Sequence, residues 1–225
     1  MIPITQKSFL TLSFASFLAI GVIYYGISCY KDYEFSFLIL NIFIAWIPFS
    51  LSFLITRIYN SRLKKISKLY LLTPVLILWL IFYPNIPYIL TDVIHIRSLD
   101  YIKMENSIFV YNQNIIRWYE LIQITFAVFL SIAMGFISLF NIQKIIEEKD
   151  RALGWIFVIT ISFFSGIGIY FGRFLRLNSW QILNLFNAGN LSFIIKHLEF
   201  FTAFITFFAL SWLFIYMVIY LLTKR

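Results

Sequence analysis

Charge is scarce in this sequence, and acidic charge most of all. Only 10 Asp and Glu stand against 18 Lys and Arg, and charged residues fill 12% of the positions. A soluble domain carries about 25% charge, so a water-facing globule is excluded. Cysteine is nearly absent: Cys29 alone closes no intrachain disulfide and no paired CxxC metal site. There are two histidines, His95 and His197, and no HExxH, which excludes the usual helical zinc-hydrolase motif. No GxSxG elbow supports a serine nucleophile, and the 8 glycines form no phosphate-cradling loop.

What fills the chain instead is apolar. Hydrophobic residues make up 61% of it, 27 Phe among them, with a mean hydropathy of +0.87. They come in long runs separated by short charged stretches, and each run reaches the ~20 residues a helix needs to cross a ~30 Å hydrocarbon core. The pattern predicts about six spans, over Phe9 to Tyr30, Phe35 to Thr56, Leu69 to Thr91, Leu121 to Ile142, Ala152 to Gly172 and Phe200 to Leu222. Lipid offers no partner to backbone N–H and C=O groups, and no run alternates polar with apolar as a barrel strand does. The expected fold is therefore an all-α polytopic transmembrane bundle, a single integral membrane domain over residues 1–225. The first run is longer than a signal peptide's apolar core of roughly 7–15 residues, and only Lys7 precedes it, so it reads as a span. Cys29 follows Gly26-Ile27-Ser28 without the large aliphatic residue of a lipoprotein site; it reads as a small filler near a helix end.

Lys and Arg in short loops are retained on the cytoplasmic side. With the N-terminus inside, that side holds Lys7, the cluster Arg57, Arg62, Lys64, Lys65 and Lys68, then Lys144, Lys149 and Arg151, and Lys224 and Arg225. Lys31, Arg97, Lys103, Arg117, Arg173, Arg176 and Lys196 fall outside. Both termini are expected in the cytoplasm, in a bacterial plasma membrane. The net charge of +8 points to acidic lipid headgroups, since the Arg57–Lys68 cluster has no helix-turn-helix or aromatic RNA-binding pattern beside it; nucleic acid is not an expected partner, and membrane lipids are.

Three polar clusters break the apolar rule, and in this topology all three lie at the outer interface, where they are predicted to come within reach of one another. The first runs from Tyr83 to His95 and holds Pro84 and Pro87, which remove two helical donors and predict a kinked or partly unwound stretch. If the helix continues, Asn85, Tyr88, Asp92 and His95 share an arc of about 80°. The second runs from Gly168 to Trp180. Gly168 and Gly172 form a small-residue pair that permits close helix contact, while Arg173 and Arg176, three apart, can hold a carboxylate or phosphate. The third is Arg117-Trp118-Tyr119-Glu120. An unpaired carboxylate is expensive beside an apolar run, so Glu120 is expected to pair with Arg173 or Arg176. Asn41 in the second span, near Trp46 and Pro48, adds an amide that bridges helices. The structural alternative is polar residues in the headgroup zone and snorkelling arginines.

As a site, these residues divide by role. Arg173 and Arg176 hold an anionic group; Asn85, Tyr88 and Asn178 orient it; Asp92, His95 and Glu120 are the candidates for acid–base chemistry. The expected ligand is anionic or amphiphilic. His95 and His197 with the nearby carboxylates are the only candidates for a metal, and the residues name no cofactor.

Ala45-Trp46-Ile47-Pro48, the Pro84-Asn85-x-Pro87-Tyr88-x-x-Thr91-Asp92-x-x-His95 string and Gly172-Arg173-Phe174-Leu175-Arg176-x-Asn178-Ser179-Trp180 resemble the bacterial domain of unknown function 1361 family, from about the second span to the sixth. The resemblance implies a bacterial multi-pass membrane protein and no activity. The family pattern often carries an acid after the last tryptophan and an Asp ending the fourth-span motif; this chain has Gln181 and Glu120, so the resemblance implies no essential carboxylate at 181 and a retained charge at 120. Three functions compete: a binding or processing site for an anionic or lipid-like ligand, a transporter lined by the broken third helix, and a non-catalytic assembly or immunity partner.

Overall fold

The computed structural model describes residues 6–30, 35–96, 101–105 and 107–223. Lys31, Arg97, Lys224 and Arg225 of the charge count lie outside the described residues, as does the side chain of Lys103. Eight helices appear among them: α1 Gln6–Tyr30, α2 Phe37–Tyr59, α3 Lys65–Phe82, α4 Asn85–Tyr88, α5 Ile115–Glu147, α6 Arg151–Phe174, α7 Ala188–Lys196 and α8 Leu198–Thr223. Two 3-10 segments, Ile89–His95 and Ser179–Phe186, also lie among the described residues. Six stretches are long and apolar enough to cross a membrane: Lys7–Tyr30, Phe37–Tyr59, Lys65–His95, Ile115–Glu147, Arg151–Phe174 and Leu198–Thr223. The fold is the all-α polytopic bundle that the apolar runs predict.

Exposed faces support the same conclusion. Phe14, Phe17, Tyr70, Phe129, Phe207 and Phe214 all lie on the surface of spans. A water-soluble monomer rarely exposes an apolar patch beyond a few hundred Å², whereas lipid tails solvate such side chains.

The third span breaks where its prolines stand. Pro74 is carried inside α3, but α3 ends at Phe82, the four residues of α4 follow, and Ile89–His95 tightens into 3-10 geometry. A proline contributes no N–H and crowds the carbonyl four residues back. α6 begins cleanly because Asp150 caps it, its Oδ1 accepting from Ala152 N at 2.6 Å and Leu153 N at 3.3 Å. Between the third and fourth spans lies an antiparallel hairpin, β1 Ile102–Glu105 and β2 Ile108–Tyr111, which the sequence reading does not anticipate.

Backbone contacts group the chain into two compact units, one from Met1–Phe43 and Ile89–Ser131, the other from Ile44–Tyr88 and Ile132–Arg225. Within the second unit α6 packs along α8, α4 against α6, and the Ser179–Phe186 segment against α3 and α7. Its interior is filled by Trp79, Tyr83, Trp212 and Tyr216, each almost wholly buried. Their polar atoms are satisfied inside the protein. Trp79 Nε1 donates to Ser138 Oγ at 2.9 Å, Ser138 Oγ to the Pro48 carbonyl at 3.1 Å, and Trp212 Nε1 to Tyr83 Oη at 3.2 Å. In the first unit, Leu38, Ile42, Ile124 and Ala127 form part of the core.

Candidate functional site

In the second unit the candidate residues gather where α6 ends. Gly168 and Gly172 stand four apart on α6, and Pro84 and Tyr88, also four apart, lie against them. A Cβ at 168 would come within 2.5 Å of Pro84 Cβ, and one at 172 within 2.9 Å of Tyr88 Cε2. Glycine at both places is what lets the broken end of the third span press onto α6. The residue after Gly172 then falls over the seated ring: the Arg173 guanidinium carbon is 4.3 Å from the centre of Tyr88. Such a cation–π contact contributes about 1 kcal/mol when partly desolvated, and both side chains are half-buried.

Asn85, three residues before Tyr88, is held by its amide. Its Nδ2 donates to the Phe82 carbonyl at 2.8 Å and to Ser179 Oγ at 2.7 Å, tying the end of α3 to the Ser179–Phe186 segment. α6 stops at Phe174, and Arg176 takes φ 54°, in the left-handed region. This conformation costs a side-chain-bearing residue roughly 1–2 kcal/mol. Leu175 N and Leu177 N both donate to the Phe171 carbonyl, at 3.2 and 3.1 Å, and so fix the turn that imposes it. The helical spacing expected of Arg173 and Arg176 therefore does not hold, because the helix ends between them. Arg176 is exposed. Asn178 donates from its backbone N and its Nδ2 to Gln181 Oε1, at 3.1 and 3.2 Å, so its amide braces the start of the next segment.

In the first unit the acids are engaged. Asp92 is wholly buried, and Asn41 Nδ2 donates to its Oδ2 at 2.9 Å, so Asn41 bridges α2 to the 3-10 segment. His95, three residues on, is exposed, its ring 4.9 Å from that of Phe37. Asp92 and His95 stand three apart in the same 3-10 segment, the first buried and the second exposed. Glu120 is buried and accepts from Arg117 Nη1 at 2.9 and 3.0 Å through its two oxygens. The partner expected for Glu120 was Arg173 or Arg176; Arg117, three residues earlier on the same helix, is a partner that the sequence reading does not name, although bases and acids three apart on a helix are neighbours. His197 lies with its ring 4.8 Å from Phe193. Among the described residues no group of three or more His, Cys, Asp and Glu side chains is placed to hold a metal.

Several polar positions escape a reading by sequence. Gln123 is buried, and neither its amide nitrogen nor its oxygen has a hydrogen-bond partner among the described residues. It packs with the Tyr119 ring against Gly26, where α1 runs close to α5. In the second unit Gln143, Lys144 and Glu147 on α5 join Tyr216 of α8: the Tyr216 hydroxyl donates to Gln143 Oε1, Gln143 Nε2 to Glu147 Oε1 at 3.0 Å, and Lys144 pairs with Glu147. Spacings of three and four along α5 carry this cluster, yet only the fold supplies the tyrosine.

Comparison with curated proteins finds no match, and comparison with solved structures finds none. A family model described as "Protein of unknown function (DUF1361)" matches residues 40–218. The matched stretch holds Asn41, Asp92, the broken end of the third span, the glycine pair and both arginines, and with most of its length so covered, the chain belongs to the DUF1361 family.

Proposed function

We propose that this protein is a multi-pass protein of a bacterial plasma membrane that binds an anionic group at the end of α6, with Arg173 and Arg176 as the cationic contacts and Tyr88, Asn85 and Asn178 as the groups that position them. The observation that carries the reading is the seat built for Arg173: Gly172 admits the Tyr88 ring, and the ring holds the guanidinium at 4.3 Å. Arg176 adds to it, since a long cationic side chain is kept at a backbone conformation that glycine would adopt without cost. Guanidinium groups suit carboxylate and phosphate because their planar donors pair with two oxygens. Both termini lie in the cytoplasm in this proposal, which rests on the basic cluster Arg57–Lys68, and the α6 end then faces outward.

Binding is favoured over acid–base processing by the state of the carboxylates: Asp92 receives Asn41 in a buried setting, and Glu120 is taken up by Arg117. It is favoured over permeation by the aromatic filling of the second unit, where Trp79, Tyr83, Trp212 and Tyr216 occupy the interior. For the first-unit acids the same pairings support a structural role. The test is titration of purified protein with glycerol phosphate, a soluble anion. Saturable binding that weakens about tenfold in Arg173→Gln and Arg176→Gln, a loss of ~1.4 kcal/mol, is expected; equal affinity in wild type and both variants would remove the reading.

A further inference from the structure

Most of the connection between α6 and α8 is unlike an ordinary loop. From Ser179 to Lys196 it forms a 3-10 segment of 8 residues and then α7 of 9, with Asn187 between them at φ −66° and ψ 135°. This path is too short and too broken to cross a ~30 Å core. It nevertheless exposes apolar side chains in number: Trp180 is 61% exposed, Leu183 78%, Phe186 73% and Ile195 72%.

Its amides serve the segment itself. Asn187 Oδ1 accepts from Gly189 N at 3.1 Å, and Asn190 Nδ2 donates to the Asn184 carbonyl at 2.8 Å. Backbone groups closed in this way tolerate a medium poor in water. Charge completes the pattern. From Arg151 to Leu198 the sequence holds no acidic residue, and Arg173, Arg176 and Lys196 flank the exposed apolar side chains. Both ends of the segment lead into membrane spans, and Leu198 and Phe200 at the start of α8 are exposed as well.

We infer that Ser179–Lys196 lies in the headgroup–acyl boundary of the bilayer, and that the anionic group held by Arg173 and Arg176 is the head of a bilayer amphiphile, an anionic phospholipid or a molecule built like one. Apolar burial beside a basic flank is how an amphipathic segment binds at an anionic lipid surface. In that position the segment places acyl chains against Leu183, Phe186 and Ile195 while the headgroup meets Arg176, three residues before it in the chain. A free anion would have no use for the apolar half. The inference rests on the reading of Arg173 and Arg176 as an anion site.

Two measurements separate the failures. Single cysteines at Leu183 and Ile195, in a Cys29→Ser background, would carry an environment-sensitive fluorophore in nanodiscs. Quenching by acyl-chain bromolipid and protection from aqueous iodide is expected at both; quenching by iodide alone places the segment in water and overturns the inference, whatever the arginines do. In parallel, short-chain phosphatidylglycerol and glycerol phosphate are titrated into wild type, Arg173→Gln and Arg176→Gln. The amphiphile is expected to bind at least about tenfold tighter than the soluble headgroup, and both to weaken in the variants. Equal affinities for the two probes, both lost in the variants, would leave the anion site standing and overturn the amphiphile. Acyl-chain quenching with binding unchanged in the variants would leave the interfacial segment standing and sink the anion site.

Discussion

The acids of the first unit and the bases of the second are treated in opposite ways. Asp92 and Glu120 are buried, and they receive hydrogen bonds from Asn41 and Arg117 respectively. Arg173 is half-buried on an aromatic ring, and Arg176 is exposed on a strained backbone. A charge buried in an apolar bundle persists only when it is paired; Asp92 so ties α2 to the 3-10 segment, and Glu120 is paired along α5 itself. Arg176, exposed at the surface, is open to a group from outside the bundle. The contrast divides one list of polar residues into scaffold and site.

The largest effect expected is at the scaffold. Asp92→Ala leaves the Asn41 amide without its carboxylate and should lower stability by about 2 kcal/mol, the scale of a lost hydrogen bond to a charged group; thermal unfolding in detergent measures it. An unfolding midpoint equal to wild type would break the contrast from the acid side. Gly172→Val follows. Its branched side chain enters the space of the Tyr88 ring, so overpacking of about 1–3 kcal/mol should appear together with loss of glycerol phosphate binding, because the ring can no longer seat Arg173. Gln123→Leu should raise stability by about 1 kcal/mol, since it replaces a buried amide that has no partner by an apolar group of similar length. Arg176→Gly is the smallest and the most pointed. Relief of the left-handed arginine should stabilise the fold by about 0.5–1 kcal/mol while anion binding weakens. A variant that gains stability and keeps full binding would show that Arg176 is not part of the site.

The six spans were legible because hydropathy is a local property and ~20 residues of it decide the matter. Their ends were not. The fourth span was expected over Leu121 to Ile142 and runs from Ile115 to Glu147, since Arg117 with Glu120 and Lys144 with Glu147 neutralise each other along the helix and let it continue past the apolar run. The break after Phe82 could be read from Pro84 and Pro87. Partner choice can be read only where it is local, as for Arg117 three residues before Glu120 on one helix. Asn85 to Ser179 and Arg173 to Tyr88 required the fold, because each joins residues about ninety positions apart. The amphipathic stretch after Arg176 was hidden by its form, two short helices broken at Asn187, neither long enough for periodicity to show.

The central claim, that the end of α6 is an anion site and not packing, meets its most direct test in a single titration. Glycerol phosphate is added to purified wild-type protein and to an Arg173→Gln, Arg176→Gln double variant whose thermal unfolding matches wild type. The account predicts saturable binding to the wild type and a loss of at least about tenfold in the variant; the same isotherm for both proteins would contradict it.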